Sequence, residues 1–392
     1  MGYMMEHSSK VEISRSAYRQ NLRFLRSIIG PETLFSSVIK GNAYGHGIEV
    51  FVPMAEECGV RHFSVFSAEE AYAADRVRRL GTDLLILGYI DDTQLEWAVE
   101  RGIAFYVFDL PRLEGALQAA GKVGGVARIH LEIETGMNRT GFEDAALGDA
   151  LELILAHPDR LCVDGVCTHL AGAESIANDY RIRNQLHVFS ESRIALAKRG
   201  LVPRLAHAAG SAAAFNYPDS KLDMVRIGIA QYGYWPNQES RMRYLIRSAE
   251  AKGDTTRTVL KGVLRWSSRI MGLKQARRGD FVGYGNAFQA MRDLTLAAVP
   301  VGYSHGFPRS LSNLGYVLVH GRRAPVVGYV SMNMMMIDVT DCPGVHRGDE
   351  VVIIGSQKRA RITVSSFSDM INYVNYEILT RIPPSIPRSV VE

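Results

Sequence analysis

The 392-residue chain has no apolar run long enough to cross a bilayer. Its longest runs, such as DLLILGYI, fall far short of the ~20 residues a spanning helix needs, so no membrane partner is expected. The N-terminal stretch MGYMMEHSSKVEIS has no apolar core of the kind a secretory leader carries. It is no myristoylation signal either, because Glu6 stands where Ser or Thr is required. Cysteine is scarce: Cys58, Cys162, Cys167 and Cys342 are spread out, with no metal-ligand spacing. They read as reduced core thiols, which suits the cytoplasm, and no metal is expected. An excess of one charge sign is also lacking. The 45 basic and 41 acidic side chains leave a scattered net charge of +4, too weak to argue for nucleic acid. Low-complexity segments and long linkers are absent.

What is present is alternation. Eight short apolar runs recur between residues 34 and 230: LFSSVIK, HFSVFS, DLLILGY, AFYVFD, ARIHLEIE, LCVDGVCTHL, RLAHAA and MVRIGIA. Between them lie segments such as AEEAYAADRVRRLG, with apolar residues three and four apart and glycine near the end. Strands alternating with helices predict parallel βαβ units. Eight such units predict a closed α/β barrel of the (β/α)₈ type, with a doubly wound open sheet as the rival. After residue 248 the pattern becomes β-branched runs broken by Gly, Pro, Asn and Asp, which predicts a mostly antiparallel β domain with one short helix near VSSFSDMINYVN. The expected division is 1–247 and 248–392, with residues 11–14, VEIS, as a strand available to the second domain.

In a barrel, reactive groups gather at the C-terminal ends of the strands. Lys40 ends the first run, His169 the sixth and Gly228 the eighth, and Ser211 follows the seventh. A lysine there can form a Schiff base, and Gly and Ser loops can bind phosphate through backbone N–H groups. Together they suggest pyridoxal 5′-phosphate.

The segments SSVIKGNAYGHG, EIETGMNRTGF, THLAGAES, MVRIGIAQYG, VGYGNAF, VGYSHGFPRSLSN, RAPVVGYVSMNMMMIDVTD and YEILTRIPPSIPR resemble, in order and over nearly the whole chain, the signatures of the pyridoxal phosphate-dependent alanine racemase family. The resemblance implies a homodimer with active sites shared across the interface, and interconversion of L- and D-alanine by two opposed bases. One is Lys40, which also anchors the cofactor. The other is Tyr284, acting on the partner's cofactor. Arg226 matches the arginine that bonds the cofactor's ring nitrogen, with His207 behind it. Tyr44, Ser211, the backbone of Gly228 and Ile229, and Tyr376 are implied at the phosphate, and His169 against the cofactor. Arg139 and Met332 are implied at the substrate carboxylate. D-Alanine for cell-wall peptide would be the usual destination.

The chain departs from the family pattern in places. Many members carry a carbamylated lysine seven residues before the arginine of TGMxR, where this chain has Glu132. Glu132 is expected to supply that negative charge and to orient Arg139; an unrelated strand-face glutamate is the alternative. Asn333, His305, Tyr329 and Glu174 also differ and alter charge near the substrate path. They leave open a serine racemase or a broader amino-acid specificity. A related decarboxylase is disfavoured by the arginine of VRIGIA, since decarboxylases usually protonate the ring nitrogen through a carboxylate. A non-catalytic cofactor-binding barrel is disfavoured by the second domain and Tyr284.

Overall fold

The computed structural model describes residues 7–252 and 260–392. Residues 258 and 259, which open the first predicted run of the second domain, lie outside them. The chain forms two compact units. One comprises residues 19–40 and 52–261, and the other residues 1–18, 41–51 and 262–392.

The strands, in chain order, begin with β1 (Ser9–Ser14). Eight follow in the first unit: β2 (Leu34–Val38), β3 (His62–Val65), β4 (Asp83–Ile86), β5 (Ala104–Val107), β6 (Ala127–Glu132), β7 (Leu161–Cys167), β8 (Leu205–His207) and β9 (Met224–Ile227). Each lies within one of the eight apolar runs. They form one parallel sheet in the order β8-β7-β6-β5-β4-β3-β2-β9. Helices cover its outside, so the strands are buried on both faces and read as continuous apolar runs rather than as alternation. The seam between β8 and β9 is closed by backbone contacts. Arg226 N donates to Ala209 O at 2.9 Å, Asp223 N donates to Ala206 O at 3.0 Å, and a single bridge joins Gly210 to Arg226. The barrel thus closes at the position of Arg226.

The second unit adds β10 (Leu264–Arg269), β11 (Gly272–Ala276), β12 (Leu294–Val299), β13 (Tyr316–Val319), β14 (Arg322–Pro325), β15 (Met335–Asp338), β16 (Glu350–Gln357), β17 (Ala360–Ile362) and β18 (Arg388–Val391). One sheet runs β14-β13-β16-β10-β1-β18, with β17 on β16, and a smaller one runs β11-β12-β15. β1 is antiparallel to β10 and parallel to β18. Its inward residues Val11 and Ile13 are fully buried. On its other face Glu12 bonds Arg265, which reaches on to Glu350, a cross-strand charge ladder over three strands. Two helices, Val364–Ile371 and Asn375–Thr380, stand where one was expected. Asn372 takes a left-handed conformation and ends the first of them.

One reading needs correction. The cysteines are not all core thiols: Cys167 and Cys342 are buried, but Cys58 is half-buried and Cys162 exposed, at the barrel floor where β7 begins. Of the methionines of SMNMMMID, Met335 and Met336 lie on a strand, whereas Met332 and Met334 are exposed on an irregular loop.

Candidate active site

Lys40 stands two residues past the end of β2. That strand is pinned from within the barrel. Gln231 donates from Nε2 to Val38 O at 3.0 Å and accepts from Ser37 Oγ at 2.7 Å, and Tyr232 donates its hydroxyl to the same Val38 carbonyl at 3.0 Å. Lys40 keeps contact with solvent. Desolvation by the surrounding protein lowers its pKa, and the charges of Arg139 and Arg226 lower it further, against an opposing pull from Glu70. An amine so placed loses its proton more readily than a fully solvated lysine.

Arg226, on β9, is buried. Its guanidinium is held on three sides: Nη2 donates to Thr168 O at 2.9 Å and to Ala208 O at 3.0 Å, and Nη1 donates to Nδ1 of His207. Because His207 accepts at Nδ1, its proton sits on Nε2, which lies 2.8 Å from Nδ1 of His130. Burial first, then the charge of Arg226, drives the His207 pKa well below the ordinary histidine value, so both rings are neutral. Tyr106 stacks on His130 at 6.3 Å between ring centres. Gly165 makes room for the pair, since a Cβ there would lie 2.3 Å from His130 Nδ1.

His169, two residues past β7, is half-buried. Burial, then Arg226, Arg139 and Lys40, push its pKa down to about 3. Three cations therefore converge on one imidazole. Gln185, fully buried on the helix Asp179–Lys198, fixes the backbone there by donating to His169 O at 3.0 Å and accepting from Ala171 N at 2.8 Å. Ser211 begins a short helix rather than capping one, and its Oγ accepts from Gly228 N at 3.0 Å.

Arg139 is exposed on a loop organised by Glu134, whose carboxylate accepts from the backbone N–H groups of Gly136, Asn138 (2.9 Å) and Arg139 (3.4 Å). Glu132 is buried, and its recorded hydrogen bond is from Thr140 Oγ1 at 2.8 Å rather than from Arg139. Burial raises its pKa, while Thr140, Arg139 and Arg226 favour its charged form. Arg139 thus feels Glu132 through its charge, and its loop is held by Glu134.

The remaining expected residues lie in the second unit. Tyr44 is buried and half-buried Tyr376 lies beside it, with 6.0 Å between ring centres. Tyr284 is neither half-buried nor on a strand. It projects from a loop tip, 76% exposed, between Gly283 and Gly285, both at positive φ. Met332 is 55% exposed. A Cβ on Gly285 would lie 3.6 Å from the Tyr329 ring, and Ser304 donates from N (3.0 Å) and Oγ (2.7 Å) to Met332 O. Asn333 Nδ2 donates to Ser304 Oγ at 3.1 Å, and Gly302 N donates to His305 Nδ1 at 3.2 Å. Glu174, by contrast, is exposed in the first unit.

Sequence reasoning missed His130, Gln185, Gln231 and Glu134. Only Glu134 left a signal, being an acid directly before the TGMxR turn. His130 lies inside an apolar run that pattern alone reads as core, Gln231 directly follows one, and Gln185 sits on a helix whose sequence gives no sign of its role.

Residues 13–236 match the family description "Alanine racemase, N-terminal domain", and residues 263–390 match "Alanine racemase, C-terminal domain". An alanine racemase of Caldanaerobacter subterraneus subsp. tengcongensis is 35% identical over 380 residues, covering 97% of this chain and 94% of its own. The solved alanine racemase of Streptomyces coelicolor A3(2) superposes with a TM-score of 0.89 at 29% identity, covering 98% of both chains. The alanine racemase of Bartonella henselae, solved with covalently bound pyridoxal phosphate, superposes with a TM-score of 0.81 at 25% identity, covering 98% of this chain and all of its own. With both domains matched in order over nearly its whole length, the chain belongs to the alanine racemase family and is an enzyme of that family.

Proposed function

We propose that the chain interconverts L- and D-alanine with pyridoxal 5′-phosphate as cofactor, Lys40 and Tyr284 serving as the two proton carriers. The observation that carries this reading is the gathering of Lys40, His169, Ser211 and Gly228 at or just past the C-terminal ends of strands of one barrel, with the guanidinium of Arg226 held there by Thr168 O, Ala208 O and His207. Such a site fits a cofactor bearing a phosphate and a phenolic oxygen. When bound, the cofactor supplies an aldehyde for Lys40 and a conjugated ring that acidifies the substrate's α-proton.

The residues of the chain do the rest. Lys40, with its lowered pKa, takes or returns a proton at the α-carbon from one face. Tyr284, from a partner subunit, serves the opposite face. Arg226 presents a permanent cation to the ring nitrogen and gives it no proton, which restrains side reactions such as transamination. Tyr44, Ser211, the N–H groups of Gly228 and Ile229, and Tyr376 are the phosphate ligands. His169 packs against the cofactor. Arg139 meets the substrate carboxylate, and Glu132 supplies in place the negative charge that a carbamate supplies elsewhere, without a need for CO₂. Met332 reaches the substrate carboxylate from the partner chain; the exposure of both Tyr284 and Met332 supports a site shared in a homodimer. The barrel is then the cofactor domain, and the β domain carries the second base. Four free cysteines suit a reducing compartment such as the cytoplasm.

Incubation with single L-amino acids in D₂O, following α-proton loss and chirality, tests the reaction. Alanine should exchange fastest and lose its handedness. Faster exchange of serine would support the alternative that Asn333, His305 and Tyr329 have widened the specificity. An absorbance band near the visible edge that borohydride bleaches onto Lys40 tests the cofactor.

A further inference from the structure

The residues directly after Lys40 form a backbone conformation that does not hold itself. Gly41, Asn42, Ala43 and Tyr44 are all left-handed, with φ of 61°, 53°, 53° and 51°. Each non-glycine residue there costs about 1–2 kcal/mol. Such a turn persists only where its surroundings over-determine it. Part of the restraint is local: Gly45 N donates to Gly41 O at 2.9 Å, Gly47 N donates to Asn42 O at 2.9 Å, and Asn42 Oδ1 accepts from Ile48 N at 2.9 Å.

His46 Nδ1 also lies 2.9 Å from Ala43 O and 3.0 Å from Tyr44 O, and the C-terminal segment adds a contact from outside the turn. Arg388 directs its whole fork at carbonyls: Nε and Nη2 donate to Gly45 O at 3.3 and 3.0 Å, Nη2 to Ile382 O at 2.9 Å, and Nη1 to Pro383 O at 2.6 Å and to Ile386 O. The acceptors Ile382, Pro383 and Ile386 each precede a proline, in RIPPSIPR. A residue before proline is biased away from the helical region, so these carbonyls are not drawn into helical pairing and can face the guanidinium, Pro383 O also accepting from Ile386 N at 3.2 Å. Gly45 is pressed so close that a Cβ would lie 2.0 Å from Leu379 O.

We propose that Arg388 is a positioning residue for the cofactor phosphate. It latches the left-handed turn to the C-terminal segment, and so fixes Tyr44 beside Tyr376. The inference rests on the assignment of Tyr44 and Tyr376 to the phosphate. Only a planar fork with donors on three nitrogens can serve four carbonyls at once, so lysine is no substitute.

The test compares holoenzymes loaded with pyridoxal phosphate or with pyridoxal, which lacks the phosphate, following cofactor release on dilution by the loss of visible absorbance. Arg388→Lys, and Arg388→Met where it folds, should weaken retention of pyridoxal phosphate about tenfold or more, equivalent to about 1.4 kcal/mol, and leave pyridoxal retention unchanged. Combined with Tyr44→Phe, the second substitution should add little. Equal weakening for both cofactors, or unchanged retention of pyridoxal phosphate in Arg388→Lys, would overturn the latch role while leaving the phosphate assignment of Tyr44 intact. Unchanged retention in Tyr44→Phe alone would overturn that assignment, and the latch role with it.

Discussion

Arg226 donates to the Nδ1 of His207, and this contact orients both groups. The guanidinium is held in place; the imidazole, kept neutral by burial first and then by the Arg226 charge, directs its remaining proton at His130, 2.8 Å away. A polar chain thus runs from the barrel mouth into the core, and each member fixes the next.

Removing the far end of that chain should be felt along it. His130→Leu leaves the Nε2–H of His207 buried without an acceptor, which costs about 1–3 kcal/mol. A fall of that size in urea-unfolding free energy, with turnover reduced and partition toward transamination raised, is the expected outcome. Gly165→Ala should mimic it, because its added Cβ would lie 2.3 Å from the His130 ring.

Acid should weaken the fold in a defined window. Burial is the main cause that holds the pKa of His46 and His62 down at about 4 and that of His130 at about 3, with His207 also far below its ordinary value. In the unfolded chain these groups take up protons near pH 6.5, so below that value the unfolded state binds more protons and stability falls with pH. The contribution is complete above about pH 6.5 and is lost as pH drops from there toward 3. Urea midpoints measured between pH 7 and 4.5 should decline steeply, and His62→Asn should flatten the slope. A profile level across that range would contradict this account.

Gly45 offers a steric test. Its φ of 77° and the 2.0 Å approach to Leu379 O leave no room for a side chain. Gly45→Ala should cost several kcal/mol, of order the 4–5 kcal/mol seen for the most disruptive single substitutions, read as a large drop in thermal midpoint. Gly47→Ala, also at positive φ but with its nearest neighbour, Arg388 Cδ, at an ordinary van der Waals distance of 3.5 Å, should cost less.

The eight barrel strands were legible because each is an apolar run bounded by turn residues, and buried parallel strands need little else. The β domain was legible in outline, and β1 was recognised as a stray strand because VEIS alternates inward Val11 and Ile13 with outward Glu12. The left-handed turn was not legible. Asn42, Ala43 and Tyr44 have no glycine-like permission for positive φ, and part of what holds it, Arg388, lies more than 340 positions away in sequence. His130 was hidden for a related reason: its partner is supplied by a strand two places along the sheet, and no local pattern records that meeting. Glu132 was correctly noticed as unusual, but its hydrogen bond to Thr140 depends on how the following loop folds back.

Tyr284→Phe should separate the two directions of the reaction. With one proton carrier gone and Lys40 intact, α-proton exchange in D₂O should fall by about 10²–10⁴-fold for one enantiomer of alanine and persist for the other. Equal losses for both enantiomers would contradict a two-base division.

The most direct test of the shared site is complementation between two inactive variants. Lys40→Ala lacks the anchor and one base; Tyr284→Phe lacks the other base. Each preparation alone should racemise alanine poorly. Mixed, dissociated and reassociated, they should form hybrid dimers in which one site draws an intact Lys40 from one chain and an intact Tyr284 from the other, and racemisation should return. If the hybrids form, as shown by a size or affinity tag on one chain, and racemisation stays at the level of the separate variants, the two bases do not come from two chains and the account fails.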